Sequence, residues 1–217
     1  MMADSDYFDS DCFDSEIADS RRKKPELVLA SASPRRFELL QQIGVICRVR
    51  PVDIPEIAQP GEAPQAFVER LAREKACAGL AVAAGDAVVL GADTVVVCDG
   101  KILGKPANRE EGLAMLQQLS GSKHRVMTAV TLTSREQILT QVVTTEVQFQ
   151  ILSQAQCERY WDTGEPCDKA GAYGIQGLGA VFVASINGSY SAVVGLPLAE
   201  TAAMLERFGI PVWQVKC

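Results

Sequence analysis

The hexapeptide Ser31-Ala32-Ser33-Pro34-Arg35-Arg36 sits where an apolar strand passes into a helix. Two hydroxyls, two guanidiniums and the free N–H groups of a helix start converge there, a setting suited to a polyphosphate. The same pattern also serves a plain helix cap followed by solvated arginines. A second position stands out by conflict with its surroundings. Asp93 interrupts the run Val88 to Val97, and a carboxylate in a buried strand is costly unless a metal, a cation or hydrogen bonds compensate it. Either Asp93 belongs to a site, or Thr94 and backbone groups satisfy it within the strand. Lys105, in Gly104-Lys105-Pro106, is placed to return a positive charge to the same mouth, or is an ordinary loop lysine. The third candidate is Asp168-Lys169-Ala170-Gly171-Ala172-Tyr173-Gly174-Ile175-Gln176-Gly177-Leu178-Gly179. No apolar strand precedes it and no acid follows at the spacing of a dinucleotide fold, which excludes that reading. Its glycines permit close backbone approach and Gln176 offers an amide to a base edge, while a purely structural glycine loop accounts for it equally. His124 has no nucleophile at a recognisable motif and takes no role.

The elements that must carry these residues follow from periodicity and turn chemistry. A first strand at Leu27 to Ala30 leads to a helix capped at Ser33, begun at Pro34 and closed by Gly44. Val45 to Val52 reads as a second strand. Ala63-Pro64 opens a longer helix whose apolar spacing, through Phe67, Leu71 and Ala78, sets Arg70, Arg73, Glu74 and Lys75 on its polar sides. Ala87 to Cys98 is a strand buried on both faces, turned at Asp99-Gly100 into Lys101 to Leu103. Asn108 with Glu111 caps a helix to Leu119. Strands near Val126 to Thr133 and Ile138 to Phe149 follow, then a short helix from Ser153 to Trp161, a hairpin turned at Asn187-Gly188, and a last helix from Pro197 to Phe208. Helices alternate with strands and hairpins intervene, which predicts an α/β protein around a mixed sheet. There is no internal repeat.

Charge divides unevenly along the chain. The net charge is -6, yet residues 1–20 hold seven acids and neither Arg nor Lys, so the remainder stands at about +1. Residues 1–24, rich in Asp and Ser, read as a disordered acidic tail, and residues 25–217 as one folded domain. Anion binding is therefore local to particular side chains, and no basic face for nucleic acid emerges. No apolar run is long enough for a membrane span and the N-terminus does not read as a secretory signal, which predicts a cytoplasmic protein. Seven scattered cysteines with a single histidine disfavour a zinc site and a disulfide framework.

Together, LASASPRR from Leu29, RLAREKA from Arg70, GADTVV from Gly91, LGKP from Leu103, LSG from Leu119 and DKAGAYGIQG from Asp168 resemble the Maf family of nucleoside triphosphate pyrophosphatases, over about Leu27 to Phe208. The resemblance implies an elongated, twisted mixed β-sheet flanked by helices, two lobes around a cleft, homodimerisation, and cleavage of the α–β phosphoanhydride with a divalent cation, Mg²⁺ or Mn²⁺. It implies Asp93 as proton acceptor and Arg35, Thr94 and Gln176 as determinants of substrate choice. It implies further that Ser31, Ser33, Arg35, Arg36, Lys75 and Lys105 bind phosphates, and that Asp93 and Glu56, with Asp53 as the alternative to Glu56, hold the metal. AGAYGIQG, with Gly188-Ser189-Tyr190 and Val193 to Pro197, resembles the dTTP/UTP branch, with removal of modified nucleotides and cell-division arrest as associated roles. The alternatives are a pyrophosphatase for another base such as 7-methyl-GTP, or a nucleotide-binding regulator of septum formation.

Overall fold

A computed structural model describes residues 25–214 of the chain; the expected acidic tail, residues 1–24, lies outside them. Strand β1 (Leu27–Leu29) leads to helix α1 (Pro34–Gln42), β2 (Arg48–Val49) to α2 (Pro64–Ala81), and β3 (Val88–Cys98) turns into β4 (Lys101–Leu103). Helix α3 (Arg109–Leu119) precedes the long pair β5 (Lys123–Thr133) and β6 (Ile138–Phe149). Helix α4 (Gln154–Trp161), three short 3-10 turns, β7 (Val183–Asn187), α5 (Tyr190–Val194) and α6 (Leu198–Arg207) complete the chain. All seven strands form one mixed sheet in the order β2-β1-β3-β5-β6-β7, with β4 beside β3. No described helix is long and apolar enough to cross a membrane.

β3 is the spine, and its alternation decides the layers. Val88, Leu90, Ala92, Val96 and Cys98 enter the main core, while Val95 and Val97 pack with Phe67, Val68, Leu71 and Ala72 of α2 on the opposite face. Gly91 lets α2 come close: a Cβ there would overlap the Ala72 carbonyl and the Ala76 backbone. Lys75 accordingly lies on the buried stripe of α2 with Phe67, Leu71 and Gly79, not on a polar side as the sequence reading has it.

Two other expectations change. The second strand shrinks to Arg48–Val49, because this outer segment is exposed, is followed by Pro51 and pairs only with the three-residue β1. Asn187-Gly188 is not a hairpin turn: β7 ends there, and the chain enters α5, whose N-cap Ser189 accepts from the Ala192 amide. Gly188 (φ 130°) packs against Thr145 of β6, whose hydroxyl accepts from the Ser189 amide at 3.0 Å, so the chain is pinned onto the strand it has just paired with.

One edge of β3 is shared by two strands that do not meet. β1 pairs with it in parallel at Val88 to Leu90, and β4 pairs antiparallel at Val96 to Cys98. Between them residues 91–95 have no strand beside them, while β5 covers the other edge throughout.

Candidate active site

A cleft of about 1180 Å³ opens at that gap, walled by the β1–α1 junction, the segment before α2, α2 itself, the loop after β4 and the glycine-rich stretch. Because no strand covers the edge, both faces of β3 contribute. On the α2 face Asp93 is buried, and its Oδ1 accepts from Lys75 Nζ at 2.6 Å. The same ammonium donates to Glu56 Oε1 at 2.5 Å, and Lys105 Nζ lies 3.5 Å from Glu56 Oε2. Burial pushes the Asp93 carboxyl above the ordinary carboxylate range, countered only in part by the charges of Lys75 and Arg36. Burial pushes Glu56 the same way, but the hydrogen bond and charge of Lys75, with Lys105 behind them, hold it below its ordinary value. The group that compensates Asp93 is thus Lys75. Thr94 points to the other face.

There, Arg36 is fixed by three bonds: Nε to the Gly195 carbonyl at 2.9 Å, Nη1 to Ser31 Oγ at 3.2 Å and Nη2 to Thr94 Oγ1 at 3.2 Å. Thr94 in turn shares a 3.0 Å contact with Thr128, which donates to the Ala192 carbonyl at 2.7 Å. Arg36 is therefore a clamp built into the wall, not a solvated surface arginine. Ser33 stands at the N-cap with Pro34 behind it, but its hydroxyl makes no capping bond; Ser31 Oγ instead accepts from the Ser33 amide at 3.2 Å. Arg35, on the next position of α1, reaches across the cleft to 3.7 Å from Asp168. Gln176 is exposed on the facing loop and lines the same cleft. Asp53 does not line it, so Glu56 is the acid that this segment delivers.

Residues 26–208 match the family described as Maf-like protein. The chain belongs to the Maf family. A protein of Vibrio parahaemolyticus named dTTP/UTP pyrophosphatase is 55% identical over 187 residues, 86% of this chain and 99% of its own. Proteins of the same name from Saccharophagus degradans (52% identity, 87% of this chain, 91% of its own) and Pseudoalteromonas atlantica (54%, 85%, 97%) are similar over the same extent. Among solved structures, a nucleoside-triphosphatase / dITP/XTP pyrophosphatase from Mycobacterium abscessus aligns over 84% of this chain and 94% of its own at 16% identity, with a TM-score of 0.39, too loose a likeness to argue from.

Within this Maf chain the glycines of the glycine-rich stretch follow the structural of the two alternatives. Its glycines face protein: a Cβ at Gly171 would meet Val96, at Gly174 the Lys169 stem, at Gly177 the Glu165 carboxylate and at Gly179 the Tyr160 hydroxyl. Glu165, Asp168 and Lys169 line the cleft; the last two open the glycine-rich motif, whereas Glu165 carries no mark in the sequence, since its partners are brought to it by tertiary folding. Thr128 carries no mark either, and Gly195, quoted only as part of Val193 to Pro197, gives no hint that its carbonyl accepts from Arg36. His124 lies outside the cleft, edge-on to Phe149 and Tyr173, with Nε2 2.8 Å from the Tyr173 hydroxyl.

A divalent cation can be tested against the donor set. Among the described residues there is no cluster of three or more His, Cys, Asp or Glu side chains. Two carboxylates, Asp93 and Glu56, converge on Lys75, and each keeps a second oxygen that Lys75 does not take. Mg²⁺ is commonly held by one or two carboxylates with waters and substrate phosphates supplying the rest, so this pair fits such an ion.

Proposed function

We propose that this chain hydrolyses dTTP and UTP to the nucleoside monophosphate and pyrophosphate in this cleft. The observation that carries the reading is the pairing, across one uncovered strand edge, of a buried carboxylate of raised basicity with a fixed guanidinium. Relatives more than half identical over nearly their whole length carry the name of that activity.

Asp93 accepts a proton from the attacking water, whose oxygen bonds to the α-phosphorus as the bond to the bridging oxygen breaks and pyrophosphate leaves. A divalent cation, Mg²⁺ or Mn²⁺, would be held by Asp93 and Glu56 and would supply charge neutralisation at the phosphates. Arg36, with Ser31 in the junction before α1, clamps the phosphates from the opposite face, and Arg35, Ser33 and Lys105 add donors at the rim. Lys75 keeps the two carboxylates together and exchanges part of that contact for phosphate oxygen when substrate enters. Thr94 acts by orienting Arg36.

Gln176 reads the base. Uracil and thymine present O4 as acceptor and N3–H as donor, which one amide satisfies together, whereas cytosine inverts both. Family membership supports a homodimer and a cytoplasmic setting as parts of the same reading. The test is a panel of nucleoside triphosphates assayed for pyrophosphate release, with Mg²⁺, Mn²⁺ and EDTA compared. Release from UTP and dTTP ahead of CTP and GTP, lost in EDTA, is expected; a preference for GTP or no turnover overturns the proposal.

A further inference from the structure

We propose that Glu165 is the positioning residue of the loop that presents Gln176 to the nucleobase, and through that loop a determinant of specificity. The inference rests on the base-reading role of Gln176 given above.

Glu165 follows α4 in a 3-10 turn (Glu165–Asp168), nine residues and more before the segment it fastens. Its Oε1 accepts from the Tyr160 hydroxyl at 2.7 Å and from the Gly179 amide at 3.1 Å, and its Oε2 accepts from the Leu178 amide at 2.7 Å. Tyr160 passes the connection on, since its hydroxyl oxygen accepts from the Gly174 amide at 3.1 Å. Backbone groups on both sides of Gln176 are thus tied to one carboxylate, two directly and one through Tyr160. The turn is itself secured by Lys169, which donates to the Glu165 carbonyl at 2.6 Å and to Asp168 at 2.7 Å.

The tie accounts for the residue types around it. Gly177 and Gly179 lack a Cβ where Glu165 and Tyr160 already stand, so the glycines serve the anchor. A carboxylate is needed because both of its oxygens only accept, whereas a glutamine would turn an N–H₂ group toward one of the donors. Burial pushes the Glu165 carboxyl upward, but the Leu178, Tyr160 and Gly179 donors and the Lys169 charge outweigh it and keep the group below its ordinary value, ionised at neutral pH. With its oxygens engaged, Glu165 acts on the base through Gln176.

The experiment measures kcat and KM for UTP and CTP, with melting temperature, on the parent, Glu165→Gln, Glu165→Asp, Gln176→Ala and the Glu165→Gln/Gln176→Ala pair. Glu165→Gln is expected to reduce the UTP:CTP ratio of kcat/KM about tenfold, mostly through KM for UTP, with Gln176→Ala adding little on top and Glu165→Asp recovering part. Tyr160→Phe, which removes one hydroxyl and keeps the carboxylate, gives a smaller change in the same direction and stands in if Glu165→Gln does not fold. A ratio that holds in Glu165→Gln and in Tyr160→Phe while Gln176→Ala erodes it overturns the inference and leaves the base reading intact. Additive effects in the pair overturn it as well. A parent without a UTP preference overturns the base reading and the inference together.

Discussion

Replacing Asp93 by Asn separates chemistry from architecture in this site. The amide keeps the shape and one acceptor toward Lys75 Nζ, which lies 2.6 Å from Oδ1, and Glu56 at 2.5 Å still matches the ammonium charge. Stripping one partner from a buried ion pair costs about 3–5 kcal/mol when nothing else meets the remaining charge. Here a second carboxylate does meet it, and burial already disfavours the ionised form of Asp93. The cost should therefore fall to about 0–2 kcal/mol, a fall in Tm of up to about 8 °C for a chain of this size. Loss of a general base removes about 10²- to 10⁴-fold of rate, and a metal ligand lost with it pushes the effect to the upper end. Pyrophosphate release from UTP, assayed beside a thermal melt, should show cooperative unfolding with kcat down at least a thousandfold. Turnover within a few fold of the parent would refute the assignment of Asp93.

Three further outcomes are expected. Arg36→Lys keeps the charge but cannot reproduce the three bonds to Gly195, Ser31 and Thr94, so kcat/KM for UTP should fall at least tenfold, and a near-parental value removes the clamp. Burial lowers His124 to about 4, so as pH falls the unfolded chain, at about 6.5, takes up the proton first; the stability linked to neutral His124 is whole above pH 6.5 and is lost between 6.5 and 4, about 3 kcal/mol over the span. Denaturant melts of His124→Gln should show a flatter decline through that window, and an unchanged slope refutes it. Deleting residues 1–20, whose acids and scattered aromatics follow no helical or strand period, should leave kcat and Tm unchanged within error.

The parts of the site that the sequence made legible are those where a residue conflicts with its surroundings. Asp93 inside an apolar run and paired arginines at a strand-to-helix passage are such conflicts, and both line the cleft. Lys75 was legible too, but only if the period is followed strictly. The series Phe67, Leu71, Lys75, Gly79 advances by four and puts the lysine on the buried stripe, whereas its charge invites placement on the polar side. Glu165 gave no such signal. It stands in a turn between Gly164 and Pro166, where an acid is ordinary, and its partners Leu178 and Gly179 join it only through the return of the glycine-rich stretch. In the fold, the long strands were plain, while the two-residue β2 and the end of β7 depended on which edge the sheet left open.

That open edge explains why two adjacent residues can do different work. Side chains alternate along a strand, so Asp93 and Thr94 face opposite sides of the sheet, one toward Lys75 and the other toward Arg36. A strand flanked along both edges would keep those two environments apart. Because β1 stops at Leu29 and β4 resumes only opposite Val96, a ligand at the gap can touch both. The register of β3 is then itself part of the site. A slip of one residue would aim the carboxylate at Arg36 and the threonine hydroxyl at Lys75, leaving a neutral hydroxyl where the proton acceptor stood beside Lys75. Nine paired residues with β5, in which Asp93 meets Ala129 and Thr94 meets Thr128, hold that register. The small Ala129 fills little space beside the carboxylate, while the Thr128 hydroxyl fastens Thr94 and, through the Ala192 carbonyl, the helix that leads to Gly195 and the clamp.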